Sequence, residues 1–163
     1  MRTARCSCGK VEIEAYGRPI TSVVCYCDDC QKGSRQIEIL PNAVPILGQD
    51  GGTAYILYRK DRIKYSKGAE LLKGYKLDEK STTSRVVAAC CNSAMVMRFD
   101  DMKHWVPMYR GRFQGDIPPL QWRICTKFKP KDALIPNDVP SSARYPAGFM
   151  WKLLTSRMSM LFG

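Results

Sequence analysis

Seven of the eight cysteines in this 163-residue chain stand in three tight groups. Cys6 and Cys8 form a C-x-C near the start. Cys25, Cys27 and Cys30 form a C-x-C-x-x-C, and Cys90 and Cys91 are adjacent far downstream. Thiolates two or three residues apart converge on one soft metal ion without straining the backbone. His104 is the sole histidine, so zinc bound here must be held mainly by sulfur. The arrangement predicts two zinc sites, one closed and one carrying three protein ligands. A closed site built from Cys6, Cys8, Cys90 and Cys91 would be structural, pinning the N-terminal strand to the end of a distant segment. Gly9, after the first pair, permits the tight turn such a chelate needs.

The N-terminal residues Met1–Cys6 lack the apolar stretch of a signal peptide, and no run of roughly 18 apolar residues is present. A cytoplasmic location is therefore expected, where clustered cysteines are metal sites more often than disulfides. Close neighbours such as Cys25 and Cys27 also pair poorly with each other. The formal net charge is +11, and its excess lies entirely beyond residue 55. A basic chain suits an anionic partner such as nucleic acid, a membrane surface or a small carboxylated substrate, or simply a solvated lysine-rich surface.

The first hundred residues read as short strands at intervals of roughly ten residues. Val11, Ile13 and Ala15 alternate with Lys10, Glu12 and Glu14. Further strands are expected at 22–26, 35–40, 53–58, 62–65, 71–77, 85–89 and 94–99. Seven prolines between Pro107 and Pro146 predict an irregular wrap over this body. From Phe149 to Phe162 the pattern turns helical. Met150, Leu153, Leu154, Met158 and Leu161 form a stripe expected to dock on the same domain or on a dimer partner, with a membrane surface as the alternative. The expected fold is mainly β, with a C-terminal amphipathic helix. Residues 1–105 would form the zinc-binding β domain; residues 106–163 would form the wrap and helix packed on it.

The central group is the denser one. Three sulfurs cap one face of a tetrahedron, and no fourth ligand lies nearby in sequence, although Cys125 is available for an all-cysteine structural site. An open position admits an outside ligand. Three thiolates make a divalent ion a poor electrophile, badly suited to activating water but suited to holding an incoming thiol as thiolate.

The ordered set Cys6-Ser7-Cys8-Gly9, Cys25-x-Cys27-x-x-Cys30 and Cys91-Asn92-Ser93 resembles the family of glutathione-dependent formaldehyde-activating enzymes, to which centromere protein V also belongs. The matching positions run from about Arg5 to Phe99. The resemblance implies an Mss4-like fold of stacked short antiparallel sheets stapled by zinc, with two zinc sites. Cys6 and Cys8 fall on structural ligands; Cys25, Cys27 and Cys30 fall on the catalytic set, whose open position is associated with a glutathione thiol and whose metal is expected to be labile. The family usually has C-x-x-C-G at the late position, and the first half of that motif falls on Ala88, which binds no metal. Cys91 is then the third structural ligand. Cys90 can be the fourth only if the chain turns sharply, because adjacent strand residues face opposite ways.

The function expected is a carbon–sulfur lyase or synthase acting on an adduct of glutathione or another thiol with an aldehyde such as formaldehyde. Asp28, Asp29, Tyr26 and His104 are the candidates for proton transfer, and Lys32 and Arg35 for meeting carboxylates. Two alternatives use the same residues differently. One is a basic binding module with structural zinc, whose aromatics Tyr58, Tyr65, Tyr75, Trp105, Tyr109 and Trp122 would stack on nucleic acid; the lack of any arginine–lysine block argues against it. The other is a thiol-redox or zinc-handling protein.

Overall fold

Residues 1–161 are described by a computed structural model. In chain order the strands are β1 (Arg2–Arg5), β2 (Glu12–Ala15), β3 (Thr21–Cys25), β4 (Thr53–Arg59), β5 (Ile63–Lys67), β6 (Leu72–Tyr75), β7 (Thr83–Ala88), β8 (Ser93–Phe99), β9 (Trp105–Tyr109) and β10 (Trp122–Ile124). The helices are α1 (Asp28–Glu38) and α2 (Ala147–Ser159). One sheet has the order β1-β2-β5, the other β10-β3-β4-β9-β8-β7-β6. The mainly β, stacked-sheet architecture with a C-terminal helix is the one expected. One pairing departs from it: β10 runs parallel to β3, with Ile124 opposite Cys25.

Alternation decides which face each strand buries. Ala4, Ile13 and Ala15 of the small sheet are fully buried against Ile56, Tyr58, Val96 and Met108 of the large one. The opposite face of the large sheet presents Val23, Cys25, Tyr55, Leu57, Met97 and Ile124, covered by Cys30 and Ile37 of α1 and by Phe149 and Leu153 of α2. The large sheet is thus a central layer with sheet on one side and helices on the other. The helical side holds the central cysteines.

Three expectations are corrected here. Residues 35–40 are not a strand but the end of α1 and the turn after it. Ile37 and Ile39 alternate over too short a span to fix a strand, and Ile39 is 82% exposed. The deciding pattern is helical, because Cys30, Gly33, Ser34 and Ile37 are buried at spacings of three and four. Cys27 caps the helix, its sulfur accepting from the Cys30 amide, and Asp28 and Asp29 in the first turn suit the positive end of the dipole.

The segment after residue 106 is not wholly irregular, since it supplies most of β9 and all of β10. Pro107 sits opposite Leu57 in a strand interior to the sheet, where a missing N–H would normally break a ladder. The sheet tolerates it because β8 pairs with β9 at Val96–Met108 alone.

Helix α2 starts at Ala147 and ends at Ser159; Phe162, the last residue of the expected helix, lies outside the described residues. Phe149 and Leu153 dock, whereas Met150, Leu154, Met158 and Leu161 of the expected stripe remain about half exposed or more. A polar latch holds the docked face. Ser156 donates its hydroxyl proton to the Leu153 carbonyl, so its oxygen accepts from Nε2–H of buried His104 at 2.7 Å. Burial holds the His104 pKa below its ordinary value, helped by the positive charges of Arg157, Arg59 and Lys60. A depressed histidine pKa contributes stability that is present above the unfolded value and is lost as pH falls through the folded one. Acidification below neutrality should therefore loosen α2, seen as faster proteolysis of its C-terminal end, and His104→Gln should flatten that dependence.

Candidate metal centres

The first cluster is assembled by two turns. Gly9, at φ +73°, lets its N–H reach the Cys6 carbonyl at 3.0 Å, and the Val11 amide donates to the Cys6 sulfur at 3.2 Å. Cys90 and Cys91 lie in the reverse turn joining β7 to β8, where Asn92 adopts φ +53°. That turn is the sharp reversal needed for adjacent residues to face one point. Its sulfurs stand at 3.6 Å (Cys6–Cys8), 3.9 Å (Cys6–Cys90), 3.3 Å (Cys8–Cys90) and 3.9 Å (Cys90–Cys91). Four sulfurs each about 2.3 Å from one tetrahedral ion stand roughly 3.8 Å apart, so the donor set fits. All eight cysteines are free, and Ala88 is buried in β7 outside the cluster.

Ser93 ties this cluster together, its hydroxyl lying 2.9 Å from that of Ser7 and 3.2 Å from the Cys91 sulfur. Burial raises the Cys91 pKa, but bonds from Ser7, Ser93 and nearby amides overcome it and bring the thiol down to about 5. The Arg112 side chain, also buried, donates to Ser93 at 3.3 Å.

The second cluster sits where β3 hands over to α1. Cys25 ends the strand, Cys27 caps the helix and Cys30 lies in its first turn; the three sulfurs all lie within 4.8 Å of one another. The thiols of Cys25 and Cys30, with the Cys30 and Asp29 amides, hold Cys27 as thiolate with a pKa of about 3. Tyr55 donates to the Cys30 sulfur at 3.7 Å. Cys125 pushes the Cys25 pKa up, but it falls outside the group of mutually close sulfurs.

Each cluster has a buried arginine beside it. Arg85 is 2% exposed; its Nη2 donates to the Asp29 carbonyl at 2.6 Å and its Nη1 has no partner. Gly33 makes room, since a Cβ there would lie 1.9 Å from Arg85 Nε. Among the described residues no carboxylate pairs with Arg85 or Arg112. A guanidinium cannot shed its proton, and leaving it buried and uncompensated costs several kcal/mol. Three or four thiolates binding a divalent ion would carry net negative charge and would supply that compensation. Arg85→Met should therefore weaken metal retention at the central cluster about 10–100-fold, read by competition with a chelator.

A cavity of about 400 Å³ opens from the central cysteines. Leu57, Met97, Trp105 and Pro107 line its sheet side, Phe149 and Leu153 its roof. Asp29, Tyr55, Thr83, Lys103 and Tyr145 are its polar lining. Of the residues expected to move protons, only Asp29 lines it. Asp28 is exposed on α1, Tyr26 is bound to Asp50 and Arg123, and His104 serves the α2 latch. Lys32 and Arg35 lie outside the lining. A more open hollow of about 450 Å³ near Arg2 and Asp116 contains no ligand set.

Sequence reading missed Arg85, Arg112, Tyr55 and Tyr145. A charged residue at the head of the apolar run Val86–Ala88 was the one available signal. The aromatics proposed to stack on nucleic acid are divided, with Tyr58 and Tyr109 fully buried and Tyr65 44% exposed.

Residues 1–44 match the model of a family described as glutathione-dependent formaldehyde-activating enzyme. That segment contains Cys6, Cys8, Cys25, Cys27 and Cys30. A solved structure of a Rhodobacter sphaeroides protein shares the fold at a TM-score of 0.51 and 17% identity, covering 86% of this chain and 99% of that one. No curated protein matches the chain. No helix among the described residues is long and apolar enough to cross a membrane.

Proposed function

We propose that this chain, a divergent member of the formaldehyde-activating type by its N-terminal segment, binds zinc at both clusters and makes or breaks a carbon–sulfur bond at the central one. The observation that carries this reading is the contrast between the clusters. Four sulfurs converge on one point at Cys6, Cys8, Cys90 and Cys91, whereas Cys25, Cys27 and Cys30 leave one side of their point facing a cavity. Zinc held by three thiolates would keep a fourth, incoming thiol as its thiolate. The helix start at Cys27 orients the three sulfurs, and Arg85 offsets their charge. Asp29 is the lining group placed to take the thiol proton and to return it. In the forward direction the sulfur forms a bond to the aldehyde carbon, the C=O electron pair moves to oxygen, and that oxygen takes the proton. Cleavage of the adduct is the same sequence reversed. Glutathione is the thiol named by the matched family.

The test is a cobalt(II)-substituted protein titrated with low-molecular-weight thiols. Binding should shift both the sulfur-to-metal and the ligand-field bands, and an unchanged spectrum with every thiol would remove the reading. Eight free cysteines suit a reducing compartment such as the cytoplasm. The exposed apolar face of α2, with Met150, Trp151, Leu154 and Met158, is proposed to pack against a second copy of the chain. Sedimentation of a Trp151→Glu, Leu154→Glu variant as a monomer, against a dimer for the unaltered chain, is the expected result.

A further inference from the structure

We infer that the sulfur compound received at Cys25, Cys27 and Cys30 carries an apolar body, alkyl or aromatic, rather than a charged peptide. This rests on the reading above and names the substrate class of the same site. The cavity, about 400 Å³, is within the range of small-molecule sites, and its surface beyond the sulfurs is mainly hydrocarbon. Leu57, Met97, Trp105 and Pro107 form one side, and Phe149 and Leu153 close the other.

The polar lining does not suit glutathione, which carries two carboxylates. Lys103 is the lining cation, and it is already paired with Asp101, its ammonium lying 4.7 Å from the Phe99 ring centre. Asp29 beside the sulfurs would repel a carboxylate. A carboxylate carried into such a cavity loses hydration without gaining a partner. Each methylene of an apolar body, by contrast, strengthens binding by about fourfold.

The experiment titrates the full-length cobalt(II) protein with ethanethiol, propanethiol, butanethiol, pentanethiol and glutathione, following the sulfur-to-metal band. The expected result is affinity rising about fourfold per methylene, with pentanethiol tighter than glutathione. Glutathione binding more tightly than pentanethiol, or a flat alkyl series, would overturn the inference while leaving the open thiol site standing. No response to any thiol would remove both. Leu153→Gln and Met97→Gln, in the roof and the sheet side respectively, should each lower pentanethiol affinity about tenfold or more and leave ethanethiol affinity unchanged. Two variants guard against a roof change that simply undocks α2. An alkyl series of undiminished slope in both folded variants would place the apolar body elsewhere and overturn the inference.

Discussion

Replacing Cys8 by serine is expected to unfold the protein. Cys8 is an exposed residue, and a surface substitution away from any special feature usually changes stability by less than about 0.5 kcal/mol. A structural zinc site carries roughly 10–16 kcal/mol of apparent binding free energy, as much as the entire stability of an ordinary domain, about 5–15 kcal/mol. The two accounts of Cys8 therefore differ by an order of magnitude. With a metal bridging Cys6 and Cys8 to Cys90 and Cys91, its loss frees β1 and the β7–β8 turn from each other. Near-ultraviolet circular dichroism should collapse, and zinc per chain should fall. A folded Cys8→Ser protein melting within a few degrees of the parent would show that the four sulfurs do not fasten the fold.

Cys27→Ser is expected to do the reverse, with the fold retained and the thiol response lost. Cys27 is the cap of α1, and serine is among the best residues at that position. The helix start thus survives the change, as do the sheet pairings of β3. What disappears is the sulfur that the surrounding thiols and amides hold most firmly as thiolate. Affinity of the cobalt protein for added thiol should drop on the order of 100-fold or more, with a melting temperature close to that of the parent. Undiminished thiol binding in this variant would move the site away from the central cluster.

The sulfur groups were legible because chelation depends on short spacings that the sequence displays directly. Joining Cys6 and Cys8 to Cys90 and Cys91 needed only the inference that an incomplete pair seeks another pair. The role of Cys90 hung on a reversal at Asn92 that strand periodicity alone does not reveal. Helix α1 was missed because its apolar face consists of Cys30, Gly33, Ser34 and Ile37, residues that do not read as a hydrophobic stripe. Strand β9 was hidden by Pro107, whose penalty is removed by a gap in the ladder, and β10 by its three-residue length. The cavity was invisible for a related reason: its lining comes from six strands of one sheet face, from the start of α1 and from a helix near the other end of the chain.

That division of the cavity between early and late parts of the chain has a consequence for biogenesis. Cys25, Cys27 and Cys30 leave the ribosome about 120 residues before Leu153, a delay on the order of ten seconds at ordinary synthesis rates. For most of that interval the three thiols lack their β10 neighbour, and for all of it they lack their helical roof. Metal delivery and oxidation then compete for the same exposed sulfurs. The first cluster faces a shorter wait, since its set of four is complete once Cys91 has emerged. The nascent chain is accordingly fastened before it is roofed, and the central site is open to loading, or to damage, for longest.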